Sequence, residues 1–558
     1  MIVNKRGFLK MNKIMKNIYY VTLISMLSTL AVADQKVRLV VTKNIMESMS
    51  TMSYGISSVN VQEPFEVIEV EGVNVQSEIA RLKMDRNIKN VEISYPTSIP
   101  TPFSQEPAYL PNMASGNSLN TPDDERYNEQ YSWKDYTSIY KGQSNIEKAH
   151  LKSHVNKKVN VAVLDSGFRN TLDLTWSGGY NFSTVDLPVG KRYYLDYDVN
   201  SCTTGHGQAV GEIIGAKTNN AYGMAGIVNA GMYAVRVLGC DNVGYLDEAA
   251  KGIRWAAGDP SVSASNRIGV DIKVINMSLG AEVDYCPTYM QSAIDYAIGK
   301  GISIVVSAGN DSIDASNFTP ANCNGVITVG SVNRSGEQSY FSNYGANVDV
   351  SALGELVLSA GTTGQSDYSY WSGTSFSAPI QTGIIAMGLS FNPSLSPDVV
   401  KGLVKQHTNP FALTVKPMGT GVSDAFSFYN KIESDVSSKV VSLNSIMKTG
   451  ERCTTSLYEE NQYINACEIF EVTVVDFRKD ENKYYVVFEL EEGEAMFSEN
   501  GTAIKASKES VFLVNGINPN SSNYGVQVCA DKSGNYCESN LLIDLKDDEI
   551  TLPVSCNI

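Results

Sequence analysis

The chain has 558 residues, 43% of them hydrophobic and 19% charged. That length exceeds what one hydrophobic core ordinarily serves and predicts two or three globular domains. A formal net charge of -16 speaks against nucleic acid or an anionic membrane as partner, because such surfaces are bound by basic patches.

Lys13 and Lys16 precede an apolar stretch at 18–30 and the small-x-small sequence Ala31-Val32-Ala33, the charge, core and cleavage pattern of a signal peptide over 1–33. Tyr19, Thr22, Ser25 and Ser28 make that stretch too polar, and its length too short, for a membrane span, so a secreted, extracellular protein with no span in its mature form is expected. In an exported chain the nine cysteines predict disulfides rather than metal ligands, with one left over. Segments 36–42, 65–70 and 91–95 alternate as strands, and 75–88 suits a helix through Ile79 and Leu82, giving a small α+β unit within 34–104. Pro96, Pro100, Pro102, Pro107, Pro111 and Pro122 lie among Ser, Thr and Asn, so 96–122 reads as an exposed, cleavable linker.

Within 126–428 the texture changes. Apolar runs at 159–164, 233–238, 273–276, 302–306 and 326–329 alternate with helix-length segments, the pattern of an α/β fold with a buried, mostly parallel sheet covered by helices. Ligands of such sheets lie at the carboxyl ends of the strands. Beyond 429 the runs at 470–475, 484–490 and 511–514 predict a β-rich C-terminal domain over 429–558, which holds five of the nine cysteines. In it, proximity alone pairs Cys453 with Cys467 and Cys529 with Cys537, leaving Cys556 over.

The chemistry has few candidates. Of four histidines, His206 stands between Gly205 and Gly207 before a helix-like segment at 208–216, where small neighbours let a substrate backbone approach; it also suits a plain helix start. Asp165 ends the run 159–164, at the expected carboxyl edge of the sheet, and equally suits a turn. Ser375, in Gly373-Thr374-Ser375-Phe376-Ser377-Ala378-Pro379, opens a helix, where backbone N–H groups and the helix dipole favour a developing oxyanion, though a helix cap explains it too. Asn310, in Ser307-Ala308-Gly309-Asn310 after the run 302–306, can donate its side-chain N–H to the same oxyanion or serve a turn.

Taken together, Val163-Leu164-Asp165-Ser166-Gly167, Gly205-His206-Gly207, Asn276-Met277-Ser278-Leu279-Gly280, Ser307-Ala308-Gly309-Asn310 and Gly373-Thr374-Ser375 through Pro379 resemble the subtilase family, whose triad runs in the order Asp, His, Ser. The likeness spans about 131–409 and, through Asn317-Phe318-Thr319-Pro320 and Tyr340-Phe341-Ser342-Asn343-Tyr344-Gly345, is greatest to the proteinase K branch. It implies a subtilisin-like three-layer fold and a serine endopeptidase acting on protein substrates, with Asp165, His206 and Ser375 as triad and Asn310 in the oxyanion hole. Ser278, Leu279, Gly280, Ser307, Ala308 and Gly309 would wall the specificity pocket, with Phe318 and Thr319 at its base, and an apolar or aromatic side chain before the scissile bond would suit it. The resemblance further implies that 34–104 is a pro-segment that assists folding and then inhibits the active site, with maturation in a linker at 105–125. It suggests disulfides Cys202 to Cys240 and Cys286 to Cys323, and a structural calcium ion held by the carbonyls of Asn324 and Val326 and the carboxylate of Asp349.

The chain departs from the family where Gly-Thr-His-Val-Ala-Gly is usual after the histidine. It has Gly207-Gln208-Ala209-Val210-Gly211-Glu212 instead, and Phe376-Ser377-Ala378-Pro379-Ile380 follows the serine. Two other readings compete. An α/β-hydrolase would use Ser375, Asp398 and His407, but the required Gly-x-Ser-x-Gly elbow is absent and Asp398 shares a helix-like segment with His407. A non-catalytic binding protein of the same shape would ordinarily lack a triad or oxyanion residue, and all four are present. The tail is compatible with a Gram-negative exported protease.

Overall fold

The structure is a computed structural model. It describes residues 36–44, 65–99, 103–104, 121–152, 158–186, 188–195, 205–262, 268–362 and 367–433, together with strands between 450 and 551. The expected signal peptide and residues 105–120 of the expected linker lie outside the described residues. The chain divides into two compact units, residues 1–390 with 396–426, and residues 391–395 with 427–558.

The first unit begins with strand β1 (Lys36–Lys43), flanked antiparallel by β2 (Glu66–Glu71) and β3 (Ile88–Ser94), and helix α1 (Val75–Lys83) packs on that sheet. Successive residues of β1 face opposite ways. Leu39 and Val41 form a local core with Val75 and Val91, whereas Val40 joins the large core of the unit. The helix stops at Lys83, before the expected 88, because the Asp85 carboxylate accepts from the Asn87 backbone N–H at 2.9 Å, a local bond that turns the chain into β3.

Next come β4 (Pro96–Ser98), β5 (Phe103–Ser104), α2 (Ile146–Lys152), β6 (Val159–Asp165), β7 (Gly178–Asn181), α3 (His206–Gly215), β8 (Ala230–Arg236), β9 (Val243–Tyr245) and α4 (Leu246–Ala256). They are followed by β10 (Val274–Met277), β11 (Ala281–Glu282), α5 (Thr288–Gly299), β12 (Ser303–Ser307), β13 (Phe318–Thr319), β14 (Ile327–Val332), β15 (Val350–Leu353), β16 (Val357–Ala360), β17 (Tyr368–Ser372), α6 (Thr374–Phe391), α7 (Pro397–Gln406), β18 (Thr408–Asn409) and β19 (Val422–Ser423).

Nine of these strands form one sheet in the order β18-β19-β15-β14-β12-β10-β6-β8-β7. All neighbours run parallel except β18 and β19. The run 161–164 is fully buried, which explains its unbroken hydrophobicity: Ala162 and Leu164 meet α4 and α5, and Val161 and Val163 face the other layer. Chain order reverses beside β6, with β8 and β7 on one side and β10 through β14 on the other. A crevice at the carboxyl ends of strands at such a switch is where a ligand is expected. Among the described residues no helix is long and apolar enough to cross a membrane.

In the second unit the described elements between 450 and 551 are all strands. β20 (Gly450–Glu459) pairs antiparallel with β21 (Gln462–Phe470), and β22 (Val472–Asp480) with β23 (Lys483–Leu490). The run 470–475 read as one strand straddles the break between β21 and β22. Cys453 and Cys467 hold directly opposed register positions.

Candidate active site

Asp165 is the last residue of β6, His206 the first of α3, and Ser375 the second of α6. The Asp165 Oδ1 accepts from the Ser166 backbone N–H at 2.7 Å and from His206 Nδ1 at 2.8 Å. With Nδ1 donating to a carboxylate, Nε2 is left as the basic nitrogen. Asp165 and His206 are buried, and among the described residues Nε2 has no hydrogen-bond partner. The Ser375 hydroxyl donates weakly to the Ser278 carbonyl at 3.4 Å rather than to His206; bonds of this kind commonly tighten only with substrate in place. Phe376 and Trp371 meet the imidazole edge-on, with ring centroids at 5.4 and 6.3 Å, and fix its plane. Gly207 is required by packing rather than by substrate approach, since a Cβ there would lie 2.2 Å from the Ser166 carbonyl oxygen.

Ser375 is held from below. Pro379 lacks the N–H that would bond the Ser375 carbonyl four residues back, and that carbonyl accepts from the Ser278 hydroxyl at 2.8 Å instead. The Asn276 side chain donates to Ser278 Oγ at 3.1 Å and accepts from Thr382 Oγ1 at 2.9 Å, so the Asn276-Met277-Ser278 sequence ties β10 to α6. Asn310 Oδ1 accepts from the Thr374 N–H at 2.9 Å and from Thr374 Oγ1 at 2.8 Å. Its Nδ2 is thereby aimed away from those donors, buried and without a partner among the described residues. Gly373, at φ 150°, borders it: a Cβ there would lie 3.0 Å from Asn310 Nδ2. A buried donor beside the start of α6 can stabilise negative charge that develops on a substrate oxygen.

Gly280 and Gly309, one from each expected wall of the pocket, both approach Phe318. A Cβ on Gly280 would lie 2.2 Å from its ring and one on Gly309 would lie 3.1 Å from it, so the two walls close on one aromatic side chain. Leu279, Ala308 and Thr319 are buried, and Thr319 Oγ1 donates to the Tyr285 carbonyl at 2.8 Å. Ser307 ends β12.

The stretch expected as an exposed linker is in part neither exposed nor irregular. β4 pairs antiparallel with β9, and Ser98 exchanges backbone hydrogen bonds of 3.1 and 3.2 Å with Gly280. Thr97 is 1% exposed. Proline is tolerated as the first residue of such an edge strand. β5 pairs with β17, Phe103 opposite Ser372 and Ser104 opposite Trp371. Upstream, the buried Arg38 guanidinium donates to Asp247 Oδ2 at 2.9 Å and Glu248 Oε1 at 2.8 Å at the start of α4. Glu92 accepts from the Thr288 N–H at the start of α5 at 3.0 Å.

Glu212, one of the departures after His206, is buried in α3 and accepts at Oε1 from Thr171 Oγ1 at 2.7 Å and Gln208 Nε2 at 2.9 Å. Gln208 Oε1 in turn accepts from Trp176 Nε1 at 2.8 Å. Burial pushes the Glu212 carboxyl up to about 7, against the opposing pull of those hydrogen bonds. Asp398 and His407 stand at opposite ends of α7, as first-turn acid and C-cap, which disposes of the alternative triad.

The disulfide Cys286 to Cys323 is present, with Cα atoms 5.1 Å apart. Cys240 is disulfide-bonded, and Cys202 lies outside the described residues, as do Cys537 and Cys556. The expected calcium ligands do not fit that ion. The Val326 carbonyl accepts from Lys401 Nζ at 2.6 Å, and Lys401 also lies 3.0 Å from Asp349 Oδ2. Lys405 Nζ lies 3.3 Å from Asp349 Oδ1, and the Asn324 carbonyl accepts from Gln291 Nε2 at 3.1 Å.

Comparison with known proteins places these features. A model described as the subtilase family matches residues 156–428. An extracellular protease of Xanthomonas campestris is 35% identical over 312 residues, 51% of this chain and 52% of its own. An extracellular basic protease of Dichelobacter nodosus is 30% identical over 349 residues, 56% of each. A thermophilic serine proteinase of a Bacillus species is 32% identical over 344 residues, 59% of this chain and 75% of its own. The chain thus spans about half the length of the first two of these relatives. A solved protease structure from Pseudoalteromonas arctica aligns with a TM-score of 0.50 and 33% identity, over 56% of this chain and 99% of that one.

Proposed function

This chain belongs to the subtilase family, and from that premise we propose that it is a secreted serine endopeptidase that cuts peptide bonds in proteins. The observation that carries the reading is the buried Asp165–His206 bond together with two nitrogens that have no partner among the described residues, His206 Nε2 and Asn310 Nδ2, near the start of the helix that bears Ser375. Ser375 Oγ attacks the peptide carbonyl and His206 Nε2 takes its proton. Asp165 holds the imidazole in the right tautomer and stabilises its charged form. Asn310 Nδ2 and the Ser375 backbone N–H receive the oxyanion. The C–N bond breaks as His206 returns the proton to the amine. Water then attacks the acyl-enzyme by the same route and restores Ser375.

The pocket closed by Phe318, Gly280 and Gly309 carries no charged side chain among these residues, which favours an apolar or aromatic side chain before the scissile bond. Extracellular relatives support export behind the signal sequence.

The segment 34–104 is read as an intramolecular inhibitor. Its chain enters along Gly280, beside the Ser278 that touches Ser375, and leaves along Ser372, three residues before Ser375. These two pairings favour self-cleavage between Ile99 and Phe103 as the first step of maturation. The test of the activity is digestion of denatured protein by the mature chain. Turnover should stop with a serine-directed inhibitor and fall on the order of a million-fold in Ser375→Ala, since triad residues act as a unit. Undiminished digestion by Ser375→Ala refutes the mechanism.

A further inference from the structure

Asp349 is an acid almost without solvent, its side chain 6% exposed, and its two oxygens are each met by an ammonium, Lys401 on one and Lys405 on the other. Asp349 Oδ2 also accepts from the Thr328 N–H at 3.0 Å. Lys401 additionally caps the carbonyl of Val326, the residue just before β14. Lys401 and Lys405 are four residues apart on α7, so both project from one face of that helix. A single positive centre bridging a backbone carbonyl and a buried carboxylate is what a bound cation would otherwise supply.

We infer that Lys401, with Lys405 beside it, is the resident cation of this place, so that the loop between Phe318 and Ile327 is held to α7 without metal. A divalent ion would have to displace one ammonium and sit against the other, and calcium requires six to eight oxygens. Other ties of the loop are also metal-free, among them the Cys286 to Cys323 bridge, Asn322 Nδ2 donating to the Val283 carbonyl at 2.8 Å, and Gln291 on the Asn324 carbonyl. Because Phe318 and Thr319 lie at the start of this loop, the lysine clamp also steadies the floor of the proposed pocket. Any calcium requirement of the protein arises elsewhere.

The test is thermal unfolding of the full chain carrying Ser375→Ala, which prevents self-digestion, in calcium chloride and in EDTA. Lys401→Met and Asp349→Asn are compared with that parent. Lys401→Met leaves the Val326 carbonyl uncapped and Asp349 with Lys405 alone, and Asp349→Asn leaves both ammoniums without their carboxylate, so each variant should unfold about 2 to 5 °C lower in both solutions. The calcium-minus-EDTA difference should be the same in Asp349→Asn as in the parent. If Asp349→Asn does not fold, Lys401→Met is read alone, again with an unchanged calcium-minus-EDTA difference. A calcium response that shrinks when Asp349 is replaced would overturn the inference, because an ion that binds only the folded state must stabilise it through its ligands. An unchanged unfolding temperature in Lys401→Met would overturn it equally.

Discussion

Replacing Glu212 by Gln removes a buried acid from the helix that begins at His206. Its carboxyl is pushed from an ordinary 4.5 up to about 7, chiefly by burial and secondarily by the nearby Asp173. The folded chain therefore holds this proton more tightly than the unfolded chain does. Stability from that difference is fully present below about pH 4.5 and is lost as the pH rises to about 7, a span worth about 3 kcal/mol. In Glu212→Gln the side chain is neutral at every pH, while the bonds that Thr171 and Gln208 make to Oε1 can persist on the amide oxygen. Urea unfolding in the Ser375→Ala background at pH 5 and pH 8 measures the effect. The parent should lose about 2 to 3 kcal/mol more than Glu212→Gln between those two values. Equal pH slopes would show that Glu212 ionises normally and that its burial imposes no cost.

Asn310→Ala should lower kcat by about 100- to 1000-fold with little change in KM, because its donor acts on charge present only in the transition state; an unaltered kcat would reduce Asn310 to a turn residue. Arg38→Met in the Ser375→Ala precursor should expose the 34–104 segment to an added protease on the order of 100-fold faster, since Asp247 and Glu248 lose their buried partner. Equal digestion rates would mean that the ion pair does not hold the segment in place. N-terminal sequencing of the wild-type chain made in a protease-free host should find the first internal cut between residues 99 and 103, with Ser375→Ala left uncut there; processing of Ser375→Ala like wild type would rule out self-cleavage.

The sheet was legible because 161–164 and 304–306 are apolar on both faces, which few alternatives to a covered parallel sheet allow. Asp165, His206, Asn310 and Ser375 were legible because each follows a strand or opens a helix, and the motifs around them are specific. What sequence could not reveal depends on neighbours distant in the chain. Pro96 to Ser98 read as linker because proline and polar residues lack strand propensity, yet pairing with β9 and Gly280 decides its conformation. Nothing in the alternation of 36–42 marks Arg38, whose buried partners Asp247 and Glu248 lie about 210 residues away. Lys401 belongs to no motif. Only the tertiary fold sets it against Val326 and Asp349, two of the groups that the resemblance offers to calcium. Trp371 carries no motif and Phe376 marks only a departure within the serine motif, and their contact with His206 follows from ring geometry alone.

The central claim is that His206 activates Ser375 for attack on a carbonyl, and a fluorophosphonate probe reads that step without needing the natural substrate. Mature wild-type protein treated with the probe and digested should carry the label on Ser375, within the peptide that contains Gly373 to Pro379, and labelling should collapse in His206→Ala. Absence of label on the folded wild type, label on another residue, or undiminished labelling of His206→Ala would contradict the account.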